Sequence, residues 1–205
     1  AARILAQYGV KHEEITLDQL AIPGFCQNGA ERCYYCKYAL FTKIKEAAQK
    51  QGISLVADGA NTDDESDYRP GMRATAELGI LSPLREAGFS KLDIREASKE
   101  LGIFTWNKPS YACLASRIPY GEEITAEKLA MVERAEQALL DMGFKEMRVR
   151  CHGKLARIEV AENDMEKVFA RRAEIAGAVK AAGFLYAALD LEGFRSGSLN
   201  AALAK

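Results

Sequence analysis

The chain has 205 residues, a formal net charge of -1, 48% hydrophobic and 28% charged residues. That length holds one large domain or two small ones, and the composition is that of a globular protein with a real core. So small a net charge supplies no overall basic field for nucleic acid or an anionic membrane, no apolar run approaches the roughly 18 residues of a membrane span, and no signal peptide opens the chain, so it reads as cytoplasmic. Any anion site must then be a local cluster of arginines.

In chain order, residues 1–8 read as the end of a helix and Lys11–Ile15 as a short strand. A domain does not usually begin inside a helix, so an earlier segment is expected to be missing. Residues 21–31 are loop-like, with Pro, Gly and Asn-Gly punctuation. A helical period runs from about Tyr34 to Gln51 and ends at Gly52. Ser54–Ala57 is then a short buried strand that empties into the polar loop DGANTDDESDYRPG, the place where ligands gather in open α/β sheets. Met72–Leu78 reads as a helix, Ile80–Ser82 as a brief strand and Asp93–Leu101 as a helix closed by Gly102. Such alternation predicts a parallel sheet. Residues 106–121 (WNKPSYACLASRIPYG) show neither period and form a long loop, with Trp106 expected to anchor it in the core.

A different pattern follows. Thr125 caps a helix to about Met142, and the strands Met147–Cys151 and Leu155–Val160 flank a His-Gly-Lys turn. A helix from about Asn163 to Ala182 then leads into the strand Leu185–Leu189. This α-β-β-α-β succession resembles half of a ferredoxin-like fold. The expected organisation is therefore a parallel-sheet α/β domain over 1–120 and a small α+β domain over 121–205.

Three constellations carry chemistry. The five cysteines, at 26, 33, 36, 113 and 151, are an odd count that argues against a disulfide framework. Cys33 and Cys36 form a C-x-x-C that can chelate a metal, cycle as a dithiol or simply pack. With Cys113 three thiolates could converge, one short of a closed cluster site. Cys26 and Cys151 read as packing residues. The carboxylates Asp58, Asp63, Asp64, Glu65 and Asp67 crowd a strand-end loop, where they could hold Mg2+ beside nucleotide phosphates or form a solvated acidic turn. Arg148 and Arg150 alternate along a strand and share one face. Arg117 follows the Cys113 loop and Arg195-Ser196 lies near the end. Arginine forks suit a phosphate, and salt bridges are the alternative.

DGANTDDESDYRPG, SPLREAGFSKLDIREASKELGI and WNKPSYACLASRIPYG, continued by RVRCHGKLARIEV and LDLEGFRSGSLN, resemble the PP-loop ATP-pyrophosphatase superfamily. Within it they resemble the ATP-dependent sulfur transferases of nickel-pincer nucleotide biosynthesis, which serve lactate racemase (LarE-type). The resemblance implies a PP-loop (adenine nucleotide alpha hydrolase-like) domain, here without its SGGxDS phosphate loop. It also implies adenylation of a pyridinium carboxylate mononucleotide by ATP with Mg2+, followed by attack of sulfur. The donor cysteine of the single-cysteine members falls on Ala112, with Cys113 just beyond it. Cys33, Cys36 and Cys113 instead resemble the three-cysteine branch, whose 4Fe–4S cluster carries an extra sulfide, and Cys113 is the expected catalytic residue. Asp58 with Asp63 or Asp64 would line the ATP/Mg2+ side. Ser116, Arg117, Arg148 and Arg150, with Glu136 nearby and Arg195 beyond, would grip the substrate phosphate. The expected assembly is a homo-oligomer acting on a small-molecule nucleotide, without nucleic-acid or membrane partners. The competing functions are tRNA thiolation, amide formation, or a non-catalytic cluster- or zinc-binding scaffold.

Overall fold

The structure, a computed structural model, describes residues 2–66, 69–108, 112–195 and 198. Asp67 and Ser196 lie outside the described residues. The chain packs as two units, Ala1–Ile22 with Cys33–Lys108, and Pro23–Arg32 with Pro109–Lys205. The Cys113 loop, grouped by sequence with the first half, thus packs in the second unit, as does the loop segment 23–32.

The first unit is mostly helical. α1 (Ala2–Gln7) is followed by α2 (Arg32–Lys50), a run free of Gly and Pro that ends before Gly52 at φ +72°. α3 (Gly71–Glu77), α4 (Pro83–Glu86) and α5 (Lys91–Glu100) follow. Pro83 opens α4 where its missing N–H costs nothing. Ser90 and Asp93 close a capping box on α5, with Ser90 accepting from the Asp93 amide and the Asp93 carboxylate accepting from the Ser90 amide.

The expected strands are largely absent among the described residues of this unit. Residues 11–15 form none, and 54–57 and 80–82 meet only in one parallel bridge between Ala57 and Leu81. The bridge is made by the Leu81 amide donating to Val56 O (3.0 Å) and the Asp58 amide to Leu81 O (2.8 Å). The apolar run beside it is not buried, since Leu55 is 70% exposed. Trp106 is exposed too, with the Lys99 ammonium 5.0 Å from its ring centroid, so it does not anchor the loop in a core.

The second unit realises the α-β-β-α-β succession. Thr125 caps α6 (Ala126–Asp141) by accepting from the Lys128 amide. β1 (Met147–His152) pairs antiparallel with β2 (Leu155–Val160), and β2 pairs parallel with β3 (Tyr186–Leu189). β3 is the direct neighbour of β2, so the crossover is not split around a further strand as in a ferredoxin-like fold. The expected single helix over 163–182 is two, α7 (Met165–Ala170) and α8 (Arg172–Ala181), broken at Arg171, whose ψ of 18° leaves the helical range. The Arg171 guanidinium holds the break by donating to Met142 O and Glu174.

Strand alternation divides the hairpin into two faces. Met147, Val149, Cys151, Ala156, Ile158 and Val160 face α6 and α8 and are almost wholly buried with Val132, Leu139, Ile175 and Val179. Arg148, Arg150, Arg157 and Glu159 occupy the opposite face, in a register that sets Arg148 across from Glu159 and Arg150 across from Arg157. No helix among the described residues is long and apolar enough to cross a membrane.

Candidate functional site

The polar face of the hairpin lies against the 3-10 turn Leu114–Arg117, which begins immediately after Cys113. Cys113 is exposed, whereas Arg117 is 1% exposed. Every nitrogen of the Arg117 guanidinium is engaged within the chain. Nε and Nη2 donate to the two carboxylate oxygens of Glu136 (2.7 and 3.0 Å), and Nη1 donates to Ala112 O, Cys113 O (both 3.2 Å) and Ser116 Oγ (2.9 Å). The same Glu136 accepts the outward amide of Val149 on β1 (3.0 Å), so one carboxylate from α6 joins the turn to the sheet. The Ser116 hydroxyl donates to Cys113 O at 2.6 Å.

Arg150 is likewise compensated, as in the salt-bridge alternative to a phosphate. Its Nε and Nη2 donate to Glu159 Oε2 (3.0 and 2.7 Å), Nη1 to Ser116 O (2.9 Å) and Nη2 to Ser198 Oγ (2.8 Å). Glu159 has no exposed surface and also accepts from Arg157 and Ser198. Arg148 stacks its guanidinium 4.8 Å above the Phe194 ring and donates to Met147 O. Burial, followed by the charges of Arg117 and Arg150, pushes the Arg148 guanidinium below its ordinary range. Glu136 and Glu159 pull the other way, so burial is the leading cause of the shift. Arg195 sits apart from these contacts, exposed and paired with Glu192.

In the first unit, Asp58 follows the parallel bridge directly. Its carboxylate accepts from Ser82 Oγ (2.8 Å) and the Ala60 amide (3.1 Å), with Lys37 Nζ at 4.0 Å. Asp63 accepts from the Lys91 amide at the start of α5 (3.0 Å). Asp64 pairs with Arg69 (2.7 Å) and accepts from the Asn61 amide (3.1 Å). These contacts stiffen the acidic loop. Cys33 and Cys36 stand three apart near the N-terminus of α2, which puts them on neighbouring positions of one helix face. Gln19 Nε2 donates to Cys36 Sγ at 3.3 Å. None of the five cysteines is in a disulfide, and Cys33 and Cys36 belong to the first unit while Cys113 belongs to the second. Among the described residues no three His, Cys, Asp or Glu side chains are gathered as a metal-ion site. Cys151 is fully buried, and burial pushes its thiol upward, as befits a packing residue. Cys26 is half-buried.

Sequence reasoning missed Asn28 and Arg32 as parts of the arginine site, and left Glu159 as an opposite-strand candidate beside Arg157. Glu159 carried a signal, because the hairpin register alone puts it opposite Arg148. Asn28 and Arg32 carried none beyond the turn punctuation around Asn28-Gly29.

No family model matches the chain. An uncharacterised protein of Synechocystis is 43% identical over the whole chain, which spans 77% of that protein. The pyridinium-3,5-bisthiocarboxylic acid mononucleotide synthase of Lactiplantibacillus plantarum is 37% identical, again over the whole chain, which spans 74% of the synthase. The chain belongs to the family of this synthase. An uncharacterised protein of Methanocaldococcus jannaschii, 35% identical over 91% of the chain, extends the similarity to an archaeon. Because the match to the synthase covers the chain from end to end, the Cys113 turn with its arginines and the Asp58 loop both lie within the region shared with it.

Proposed function

We propose that the protein is an ATP-dependent sulfur transferase that converts a pyridinium carboxylate mononucleotide to its thiocarboxylate. The observation that carries this reading is the end-to-end similarity to a synthase whose name states a bisthiocarboxylic acid mononucleotide. In the proposed reaction a substrate carboxylate oxygen attacks the α-phosphorus of ATP, forming an acyl-adenylate and expelling pyrophosphate. A sulfide sulfur then adds to the carbonyl carbon, and AMP leaves with the bonding electron pair. Adenylation matters because a bare carboxylate would have to expel oxide, whereas AMP is a competent leaving group.

In the second unit, Arg148 is the proposed seat of the substrate phosphate, beside Ser116 and an Arg150 whose nitrogens are already engaged by Glu159, Ser116 O and Ser198. The Arg148 guanidinium, stacked on Phe194 on the hairpin face that adjoins the Cys113 turn, supports it. Cys113, exposed at the rim of the same turn, is the proposed catalytic residue. In the first unit, whose parallel bridge suits a PP-loop fold, Asp58 with Asp63 or Asp64 would hold Mg2+ beside the ATP phosphates. Their hard carboxylate oxygens suit that ion.

Cys33, Cys36 and Cys113 are the proposed ligands of a 4Fe–4S cluster. Three thiols outside any disulfide are one ligand short of a closed site, Cys33 and Cys36 have chelating helical spacing, and an N–H···S bond already reaches Cys36. Bound to Cys33, Cys36 and Cys113, such a cluster would offer an open iron on which the transferred sulfide is carried.

The test of the substrate reading is calorimetric titration of the protein with the pyridinium carboxylate mononucleotide. Arg148→Gln is expected to weaken binding roughly 10- to 150-fold, since a charge-assisted hydrogen bond contributes about 1.5–3 kcal/mol. Wild-type protein that binds the mononucleotide no better than the dephosphorylated nucleoside would remove the phosphate seat.

A further inference from the structure

Three arginines of the second unit donate to backbone carbonyls of one short stretch around Cys113. Arg117 reaches Ala112 O and Cys113 O at 3.2 Å, Arg32 reaches Ala115 O at 3.1 Å, and Arg150 reaches Ser116 O at 2.9 Å. A turn of four residues makes few regular hydrogen bonds, so its carbonyls need partners from elsewhere when they lie inside the protein. Each arginine is itself held. Arg117 sits on both oxygens of Glu136, Arg150 on Glu159, and Arg32 on Asn28 Oδ1 at 2.5 Å. Asn28 is fully buried, and its amide nitrogen donates to Ile118 O, Pro119 O and Glu122 O, fixing the chain that follows the turn.

We infer that Arg32 and Arg117 are positioning residues for Cys113, holding its backbone in place for sulfur transfer without touching the substrate phosphate. The inference rests on the proposed function and departs from the phosphate grip expected of Arg117. A phosphate ligand needs an open pair of parallel N–H donors, and the Arg117 guanidinium, 1% exposed, places every nitrogen against protein oxygen. Taking such a cation out of water is costly unless its donors are satisfied. The arrangement therefore makes sense as a fixed support. A reacting group displaced by about 1 Å loses about 100-fold in rate, so a support of this kind bears directly on turnover.

Two measurements on the full chain separate the roles. The first is calorimetric affinity for the pyridinium carboxylate mononucleotide. The second is the electron-spin-resonance line shape of a nitroxide on Cys113, with the other four cysteines replaced. Arg117→Gln is expected to leave the affinity within about threefold of wild type while the nitroxide becomes mobile. Arg148→Gln should do the reverse, and Arg32→Gln should follow Arg117→Gln. If Arg117→Gln fails to fold, Arg117→Lys carries the test, because lysine keeps the charge beside Glu136 but has no fork to span Glu136 and the carbonyls. Loss of affinity equal to that of Arg148→Gln, with an unchanged line shape, would make Arg117 a phosphate ligand and overturn the inference. Absence of mononucleotide binding in wild type would count against the proposed substrate instead, while the line shapes would still decide whether Arg117 and Arg32 hold the turn.

Discussion

His152 closes β1 on the polar face of the hairpin, with its Nε2 buried and without a hydrogen-bond partner among the described residues. Burial first, and then the charges of Arg157 and Arg150 against the opposing pull of Glu122 and Glu159, hold its imidazole below the usual histidine range. The unfolded chain therefore binds a proton at a pH where the folded chain does not. Stability from this residue is fully present above the unfolded value of about 6.5 and is lost as pH falls from there through the folded value. Urea midpoints measured stepwise from pH 8 towards 5 should decline more steeply for wild type than for His152→Gln. Parallel profiles would place the titration elsewhere. The same face shows what was legible at this scale. Alternation put Arg148 and Arg150 on one side, but the carboxylates that answer Arg117 and Arg150 come from α6 and from across the hairpin. Sequence spacing does not report a partner 19 residues away on another element.

Elements were most legible where periodicity was long and turn chemistry plain. The hairpin follows from alternation around His152-Gly153-Lys154, with Gly153 at φ +58°. The first-half strands failed because Lys11–Ile15 is mostly charged and the short runs 54–57 and 80–82 do not by themselves specify pairing; among the described residues of these runs only Ala57 and Leu81 meet. The segment after β3 shows what a glycine does for the site. Gly193 is buried at φ +68°, and a Cβ there would stand 2.9 Å from Val160 O. That close approach lets the Phe194 amide donate to Val160 O (2.8 Å) and sets the Phe194 ring beneath Arg148. Gly193→Ala meets both a left-handed backbone and a carbonyl that cannot yield cheaply, so a loss of about 1–3 kcal/mol is expected in chemical unfolding. A change under about 0.5 kcal/mol, the range of an ordinary surface substitution, would mean that the segment relaxes freely.

At the scale of the whole chain, the segment Pro23–Arg32 belongs to the second unit although residues on both sides of it belong to the first. Nothing in its composition announced this, since Pro, Gly and Asn-Gly punctuation reads as an ordinary loop; the buried Asn28 side chain is a central part of the tie, beside Arg32 on Ala115 O and the Ile124 amide on Cys26 O. Asn28, at φ +53°, satisfies three carbonyls between Ile118 and Glu122, and its own carbonyl accepts from the Gly121 amide (3.0 Å). Asn28→Ala strips those carbonyls of their donor inside the protein and puts alanine into a left-handed backbone that asparagine tolerates better. A destabilisation of about 3 kcal/mol, equivalent to about 100-fold in an opening equilibrium, is expected, and it should be local to the second unit. Native-state hydrogen exchange reads this directly. The amides that pair β1 with β2 should exchange about 100-fold faster in the variant, while those of α5 in the first unit should keep their wild-type rates. Equal acceleration in α5 would mean that the two units open as one. No acceleration in the hairpin would mean that the loop 23–32 merely rests on the second unit and that Arg32, seated on Asn28, holds nothing in place.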